Sequence, residues 1–456
     1  MSSTKKLCWL SLSVTLVAVA LLVTACGGDN GASPKTPGPS AAVPGPTLTA
    51  EANDRTGVTD TTITLGTHFP LSGSPAAAYA PIAYGMKAFF DYINAQGGIY
   101  GRKINFIIGD DHYSPPDTVE VVRKLVEQDH VFGIINGLGD DPHLAIFKYL
   151  EDKGIPDMYL SAGLDSWTNP VAHNRFGGYP DYQTEGLFLG QYIAKTYPSG
   201  KLGILEQSDT LGVDGDTGLR KGIAGSSVQV VDVEKYDVVQ SDVTAQTERL
   251  KNAGADVMAV FGIPPQAASA TKVARETLNW NVPIVVSGLN ASDFYVLLAG
   301  EKDAEGVVSF IFSRQAYELE DPGVQKYEKI WAKFHNTVTG DLTNSEGYGM
   351  LVAEATTWDL EMAGKDLSRQ SFLDAAESMC QVKCSTCTGF GTWNTSPTDH
   401  KIIETFVIDV VKGGKWLPVG DTTSYESTTS CTPKTPPEGF DQQPKLGIDA
   451  PYVDTP

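Results

Sequence analysis

Aspartates dominate the residues of this chain that could do chemistry. Two pairs stand in sequence, Asp110-Asp111 and Asp140-Asp141, and a third group runs Asp209, Asp214, Asp216. Paired carboxylates share protons in acid–base work, or accept hydrogen bonds from hydroxyl, amide or ammonium groups. The third group hints at a calcium loop. Counting Asp214 as its first position, however, puts Gly225 where the bidentate glutamate belongs, so the stretch reads as a turn and helix start. There is no His-Glu-x-x-His, no Gly-x-Ser-x-Gly and no P-loop, and seven histidines are scattered without metal-ligand spacing. The expectation is a non-enzyme, with no catalytic residue, metal or cofactor.

The pair Asp140-Asp141 sits in Gly137-Leu-Gly-Asp-Asp-Pro-His-Leu-Ala145. An apolar run, 131–135, precedes it as a buried strand, and 143–153 follows as a helix. Pro142 suits a first helical position and Asp141 its N-cap. Ligands of α/β proteins sit at such strand-to-helix turns. Asp140 is then the side chain free to reach a ligand, and it suits a donor-rich or cationic group better than a carboxylate.

The surrounding chain alternates strand and helix patterns. Strands are expected at 63–68, 104–108, 131–135 and 157–160, with helices at 81–95, 116–128 and 143–153 between them. A second series follows: helices 182–197, 212–224, 244–253 and 266–278 alternate with strands 201–205, 228–233, 257–261 and 284–286. Two βα series imply an α/β fold of two parallel sheets, helices on both faces, with a cleft between two lobes.

The ends read differently. Lys5 and Lys6 precede an apolar run, 7–23, that closes on Val23-Thr-Ala-Cys26. This matches a bacterial lipoprotein signal with Cys26 as the lipidated residue. Residues 27–56, rich in Gly and Pro, read as a flexible tether. The expectation is an extracytoplasmic body, lipid-anchored to the outer face of the cell membrane. Beyond Cys8 and Cys26, four cysteines remain: Cys380, Cys384, Cys387 and Cys431. They could form a zinc site, but an oxidising compartment favours two disulfides, whose pairing the sequence leaves open. A net charge of −21 argues against nucleic acid as a partner.

Several stretches resemble the type I extracellular solute-binding proteins of ABC importers, the branched-chain amino acid-binding (leucine-binding protein-like) family. They are Phe69-Pro-Leu-Ser-Gly73, Asn94-Ala-Gln-Gly-Gly-Ile-Tyr-Gly-Arg102, Asp110-Asp-His-Tyr-Ser-Pro115, Glu151-Asp-Lys-Gly-Ile-Pro156, Tyr182-Gln-Thr-Glu185 and Asn394-Thr-Ser-Pro-Thr-Asp399. The resemblance implies two Rossmann-like lobes, a periplasmic binding protein type I fold, joined by three crossover hinges near 177–180, 309–313 and 388–393. Lobe 1 would comprise 57–178 and 312–390, lobe 2 179–311 and 391–430, with a tail at 431–456. It also implies a monomer that captures a small-molecule solute and delivers it to an ABC permease. A sensor of the same fold, acting on a signalling partner, is the alternative.

Family members that bind free amino acids offer Ser or Thr to the ligand carboxylate where this chain has Asp140. They place an acid for the ammonium after the strand matching 284–286, where this chain has Ser287-Gly-Leu-Asn290. Both halves of that clamp are altered, so a plain branched-chain amino acid is not the expected ligand. The resemblance and the strand-end rule together nominate Ser72, Ser74, Tyr79, Tyr113, Asp140, Ser161, Ala162 and Gly163 from the first lobe. From the second come Tyr182, Asp209, Leu211, Ile263, Gln266 and Asn290. Ala162 and Gly163 would contribute backbone N–H groups, and Leu211 and Ile263 would make the wall more aliphatic.

Overall fold

Runs of Val, Ile and Leu with no polar alternation make strands buried on both faces, which is how parallel sheets are built. The computed structural model describes residues 53–73, 75–335, 340–382, 389–428 and 431–440. The first sheet contains β1 (Thr62–Phe69), β2 (Lys103–Asp110), β3 (Gly133–Ile135), β4 (Asp157–Leu160) and β5 (Arg175–Gly177). Its order is β2-β1-β3-β4-β5, all neighbours parallel. The second contains β6 (Lys201–Gln207), β7 (Gln229–Tyr236), β8 (Val257–Phe261), β9 (Ile284–Val286), β10 (Val308–Ile311), β11 (Thr405–Lys412) and β12 (Lys415–Ser424). Its order is β12-β11-β10-β9-β8-β6-β7. The hairpin of β11 and β12 is antiparallel and is added beside β10. The five strands β6 to β10 thus repeat the order of the first sheet, and each sheet has a switch point where ligands gather.

The chain passes between the sheets three times, after β5, after β10 and at Gly389. The second and third passages touch, through a bridge between Ser313 and Gly389. Helices Pro322–Phe334 and Asn344–Met362 return to the first lobe, where both pack on helix Ala76–Ala95. The approach is close: a Cβ on Gly349 would lie 2.0 Å from the Ile82 carbonyl oxygen. In the second lobe, a Cβ on Gly218 would lie 2.0 Å from the Gln183 oxygen, so helices Tyr182–Thr196 and Thr210–Ile223 touch backbone to backbone.

Most expected elements occur, with shifted ends. The turn after β3 departs from expectation in three ways. Strand β3 starts at Gly133; Val131 and Phe132 approach it as buried chain, with Phe132 N–H donating to the Thr64 carbonyl of β1 at 2.7 Å. The single helix 143–153 is two short helices, Asp140–Leu144 and Phe147–Asp152, broken where Ile146 leaves helical geometry (φ −127°). Asp141 is not the N-cap: Gly139, at φ 94°, holds that position, a conformation that favours glycine. Pro142 therefore falls third in the helix, still within the turn whose N–H groups lack intrahelical partners. Helix 266–278 begins at Pro264 and ends in a π turn, Val273–Thr277.

A disulfide joins Cys380 to Cys431. Cys384, Cys387, Cys26 and residues 27–52 of the tether lie outside the described residues. No described helix is long and apolar enough to cross a membrane.

Candidate ligand cleft between the lobes

The carboxyl ends of the strands in both sheets face one cavity of about 540 Å³. Strand β3 delivers Leu138–Asp141 to it, and β4 delivers Ser161. From the other side β6 delivers Gln207, Asp209 and Leu211, β8 delivers Ile263–Gln266, and β10 delivers Phe312 and Ser313. Helix Ala76–Ala95 contributes Tyr79, and helix Asn344–Met362 contributes Tyr348.

Asp140 is a buried carboxylate of the wall. It is 9% exposed. Trp167 Nε1 donates to Oδ1 at 3.0 Å, and the Tyr182 hydroxyl, from the second lobe, donates to Oδ2 at 3.1 Å. Burial pushes its carboxyl up to about 7, against the pull of those two donors, and Asp209 adds to the rise. Asp141 lines the cavity too and is exposed. Asp209 caps helix Thr210–Ile223 through Gly212 N–H at 3.3 Å and accepts from Gln207 Nε2. Burial raises its carboxyl as well.

A buried chain of hydrogen-bonded ionisable groups stands behind the Asp140 turn. Asp111 Oδ2 and His68 Nδ1 are 2.8 Å apart, His68 Nε2 and His143 Nδ1 3.1 Å, and His143 Nε2 and Asp157 Oδ2 2.9 Å. Arg175 Nε donates to the same Asp157 oxygen at 3.3 Å. The other Asp111 oxygen accepts Tyr113 N–H at 3.0 Å. His143 belongs to the same short helix as Asp140, so the chain anchors two pieces of the wall, that helix and Tyr113. The Tyr113 ring in turn packs 2.5 Å from where a Gly139 Cβ would stand.

Aromatic rings cover much of the remaining surface. Tyr79 stacks on Tyr113 with centroids 6.4 Å apart. Tyr179, Phe312 and Tyr348 meet edge to face, with centroid separations from 5.4 to 6.1 Å. Two acceptors on the second lobe, Gln207 Oε1 and Gln266 Oε1, are buried and have no hydrogen-bond partner among the described residues. Gln266 Nε2 meanwhile holds the Val238 and Gln240 carbonyls at 2.9 and 3.0 Å.

Nine nominated residues therefore meet at the cavity: Tyr79, Tyr113, Asp140, Ser161, Tyr182, Asp209, Leu211, Ile263 and Gln266. The structure places the others elsewhere. Ser72 donates to Asp110 Oδ2 at 2.7 Å, and Leu71 N–H to Oδ1 at 2.9 Å, so Asp110 orders that loop. Gly163 accepts the Tyr182 N–H at 2.7 Å and makes room for its ring, and Ala162 is buried beside it. Asn290 is buried and donates to Gly262 O and Ser287. Ser74 lies outside the described residues. Asp214 and Asp216 are helical, engaged with Gln183 and Arg220. The nominations missed Gln207, Tyr179, Phe312 and Tyr348. Gln207 ends a strand and was open to the strand-end rule; Tyr348 arrives on a distant helix with no local signal.

This cleft can enclose a small molecule, and its acidic groups are Asp140, Asp141 and Asp209. A profile of the family described as "Periplasmic binding protein" matches residues 62–415. The chain belongs to that family. A "Leu/Ile/Val-binding protein homolog 2" from Brucella abortus is 28% identical over 216 residues, 45% of this chain and 55% of that protein. An "Amino acid binding protein" from Pseudomonas aeruginosa is 25% identical over 221 residues, 47% of this chain and 57% of that one. The chain spans about half the length of the curated relatives it matches. Solved structures extend the likeness in fold. A branched-chain amino acid ABC transporter protein from Thermus thermophilus, with bound valine, has a TM-score of 0.72 at 19% identity, covering 80% of this chain and 97% of that one. A fatty acid ABC transporter substrate-binding protein from Thermomonospora curvata has a TM-score of 0.71 at 20% identity, covering 82% and 95%. The periplasmic binding proteins named here bind solutes and are not enzymes. The Asp110-Asp111 pair fits that reading, since its members order the β1 loop and the buried histidine chain.

Proposed function

We propose that this periplasmic binding protein is the solute-binding lipoprotein of an ABC importer. It is held outside the cell membrane by lipid on Cys26, and it hands its ligand to a permease as a monomer. Capture consists of binding plus closure of the lobes, which requires contacts from both walls. Tyr182 already links the walls through Asp140.

The ligand is cationic or donor-rich, not a plain branched-chain amino acid. The single observation carrying this is the lining: three carboxylates, Asp140, Asp141 and Asp209, with no lysine or arginine among the described residues. A ligand carboxylate about 4 Å from one ionised aspartate is repelled by about 4 kcal/mol at an effective dielectric of 20. Tyrosine faces, by contrast, attract a cation by about 0.5–2 kcal/mol each. The aliphatic residues Leu211 and Ile263 suit the apolar part of such a solute.

A thermal-shift screen tests the reading. Purified protein would be heated with leucine, valine, a long-chain fatty acid, choline, agmatine and spermidine. A bound ligand at about a hundred times its dissociation constant adds roughly 2.7 kcal/mol, a shift of a few degrees. A shift with one of the cations, and none with leucine or the fatty acid, is expected. Micromolar leucine binding with Asp140 in contact would overturn the ligand class and leave the carrier role standing.

A further inference from the structure

Away from the cleft, three carboxylates converge at the hinge-side end of the β11–β12 hairpin. Glu404 immediately precedes β11, Glu426 follows β12 by two residues, and Asp399 lies in the loop that leaves the third passage. One oxygen from each lies within 4.8 Å of the others. That span equals twice a calcium–oxygen bond of about 2.4 Å.

The donors already present do not compensate this charge. Asp399 Oδ2 accepts the Ser427 and Thr428 hydroxyls, the latter at 2.9 Å. Glu426 accepts Thr428 N–H at 2.7 Å and Asn394 Nδ2 at 2.8 Å. Asp399 Oδ1 also accepts the Lys401 N–H at 3.2 Å, and together these contacts fix two carboxylates in place beside Glu404. Glu404 itself is 5% exposed, and its Oε2 has no hydrogen-bond partner among the described residues. Lys401 Nζ is 3.2 Å from Glu404 Oε1, but it is shared with Asp181 at 3.5 Å. One lysine thus serves several acids. Three clustered carboxylates with a single shared ammonium are undercompensated, which favours uptake of a proton or a cation.

We propose that Asp399, Glu404 and Glu426 form a calcium-class divalent cation site. The donor set is all oxygen and carboxylate-rich, which selects a hard cation. Glu404 supplies the free oxygen, and the Ser427 and Thr428 hydroxyls stand beside the site as further oxygens. Because the 399–401 loop meets the end of β5 through the Gly177–Lys401 bridge, and Lys401 reaches Asp181 in the chain that follows, the cation braces one face of the hinge. This site is independent of the ligand class proposed for the cleft.

Calorimetric titration of the purified, chelator-treated protein with calcium chloride is the test, with magnesium chloride as the comparison. Binding of one calcium per chain is expected, with a dissociation constant on the order of 0.1–1 mM, as in extracellular modules. Glu404→Gln and the half-buried Glu426→Gln should each weaken it by about tenfold or more. Glu426→Gln keeps the test usable if the Glu404 variant does not fold. Magnesium binding as tight as calcium overturns the calcium-class assignment. Calcium bound equally by wild type and Glu426→Gln places the ion elsewhere and overturns the site. No calcium heat at about 10 mM also overturns it, and means the carboxyls share a proton instead.

Discussion

The two walls of the cleft solve the same problem differently. On the first lobe, both Asp140 oxygens have donors, and the helix bearing it is pinned by the buried run Asp111–His68–His143–Asp157–Arg175. On the second lobe, Gln207 and Gln266 each leave an oxygen without a donor among the described residues. The contrast teaches where rigidity and choice reside. A carboxylate with a donor on each oxygen is preorganised and holds one geometry, whereas a buried amide oxygen without a donor leaves its side chain free to gain by rearranging when a ligand brings one.

The largest effect that tests this contrast is on stability. Asp157→Ala leaves His143 and Arg175 buried without their shared carboxylate, and should cost about 3–5 kcal/mol in urea unfolding. A loss under about 1 kcal/mol, the range of an exposed pair, would break the picture of a pinned first wall. Next in size is Asp140→Ala, which removes the acceptor of Trp167 and Tyr182. Affinity for the cationic solute should fall about 10- to 100-fold by calorimetry, the equivalent of about 1.4–2.8 kcal/mol. Unchanged affinity would move the recognition to the second wall.

A pH series sharpens the same point. The native Asp140 carboxyl, at about 7, lies above its unfolded value, so the native state holds the proton more tightly. Its contribution to stability is therefore highest at low pH and declines as pH rises from about 4 to about 7. Cation binding has the opposite sign, because it favours the ionised carboxylate. Affinity should rise up to about tenfold between pH 6 and 8, and lie flat in Asp140→Asn. The smallest effect belongs to the second wall: Gln207→Leu should weaken a donor-rich solute by less than about tenfold, with stability changed by under about 1 kcal/mol.

Much of this was legible in the residues. Short apolar runs such as Val257–Phe261, rich in β-branched residues and bounded by turn signals, read as buried strands, and their alternation with amphipathic stretches implied two parallel sheets. Asp209 and Tyr182 were found because strand ends and helix starts are where α/β sites form. The turn at Gly139–Asp141 was misread at its cap, since a glycine at positive φ competes with an Asx cap and sequence does not rank the two. The burial of Asp140 was not readable either: it depends on Trp167 and Tyr182, which arrive from other parts of the fold. Ser72 looked like a loop hydroxyl for a ligand, and Asp110, 38 residues away, takes it instead.

By itself, then, the sequence determined the class of fold, the strand-to-helix turns that face the cleft and the acidic character of those turns. These follow from periodicity, turn residues and side-chain charge, all of which act over a few residues. Only the tertiary structure decided which groups meet. Tyr348 reaches Asn136 and the Gly178 carbonyl across more than 160 residues, Cys380 meets Cys431, and Glu404 and Glu426 come together at a hairpin end. Local pattern says which face of an element is buried; what it is buried against depends on how distant elements pack.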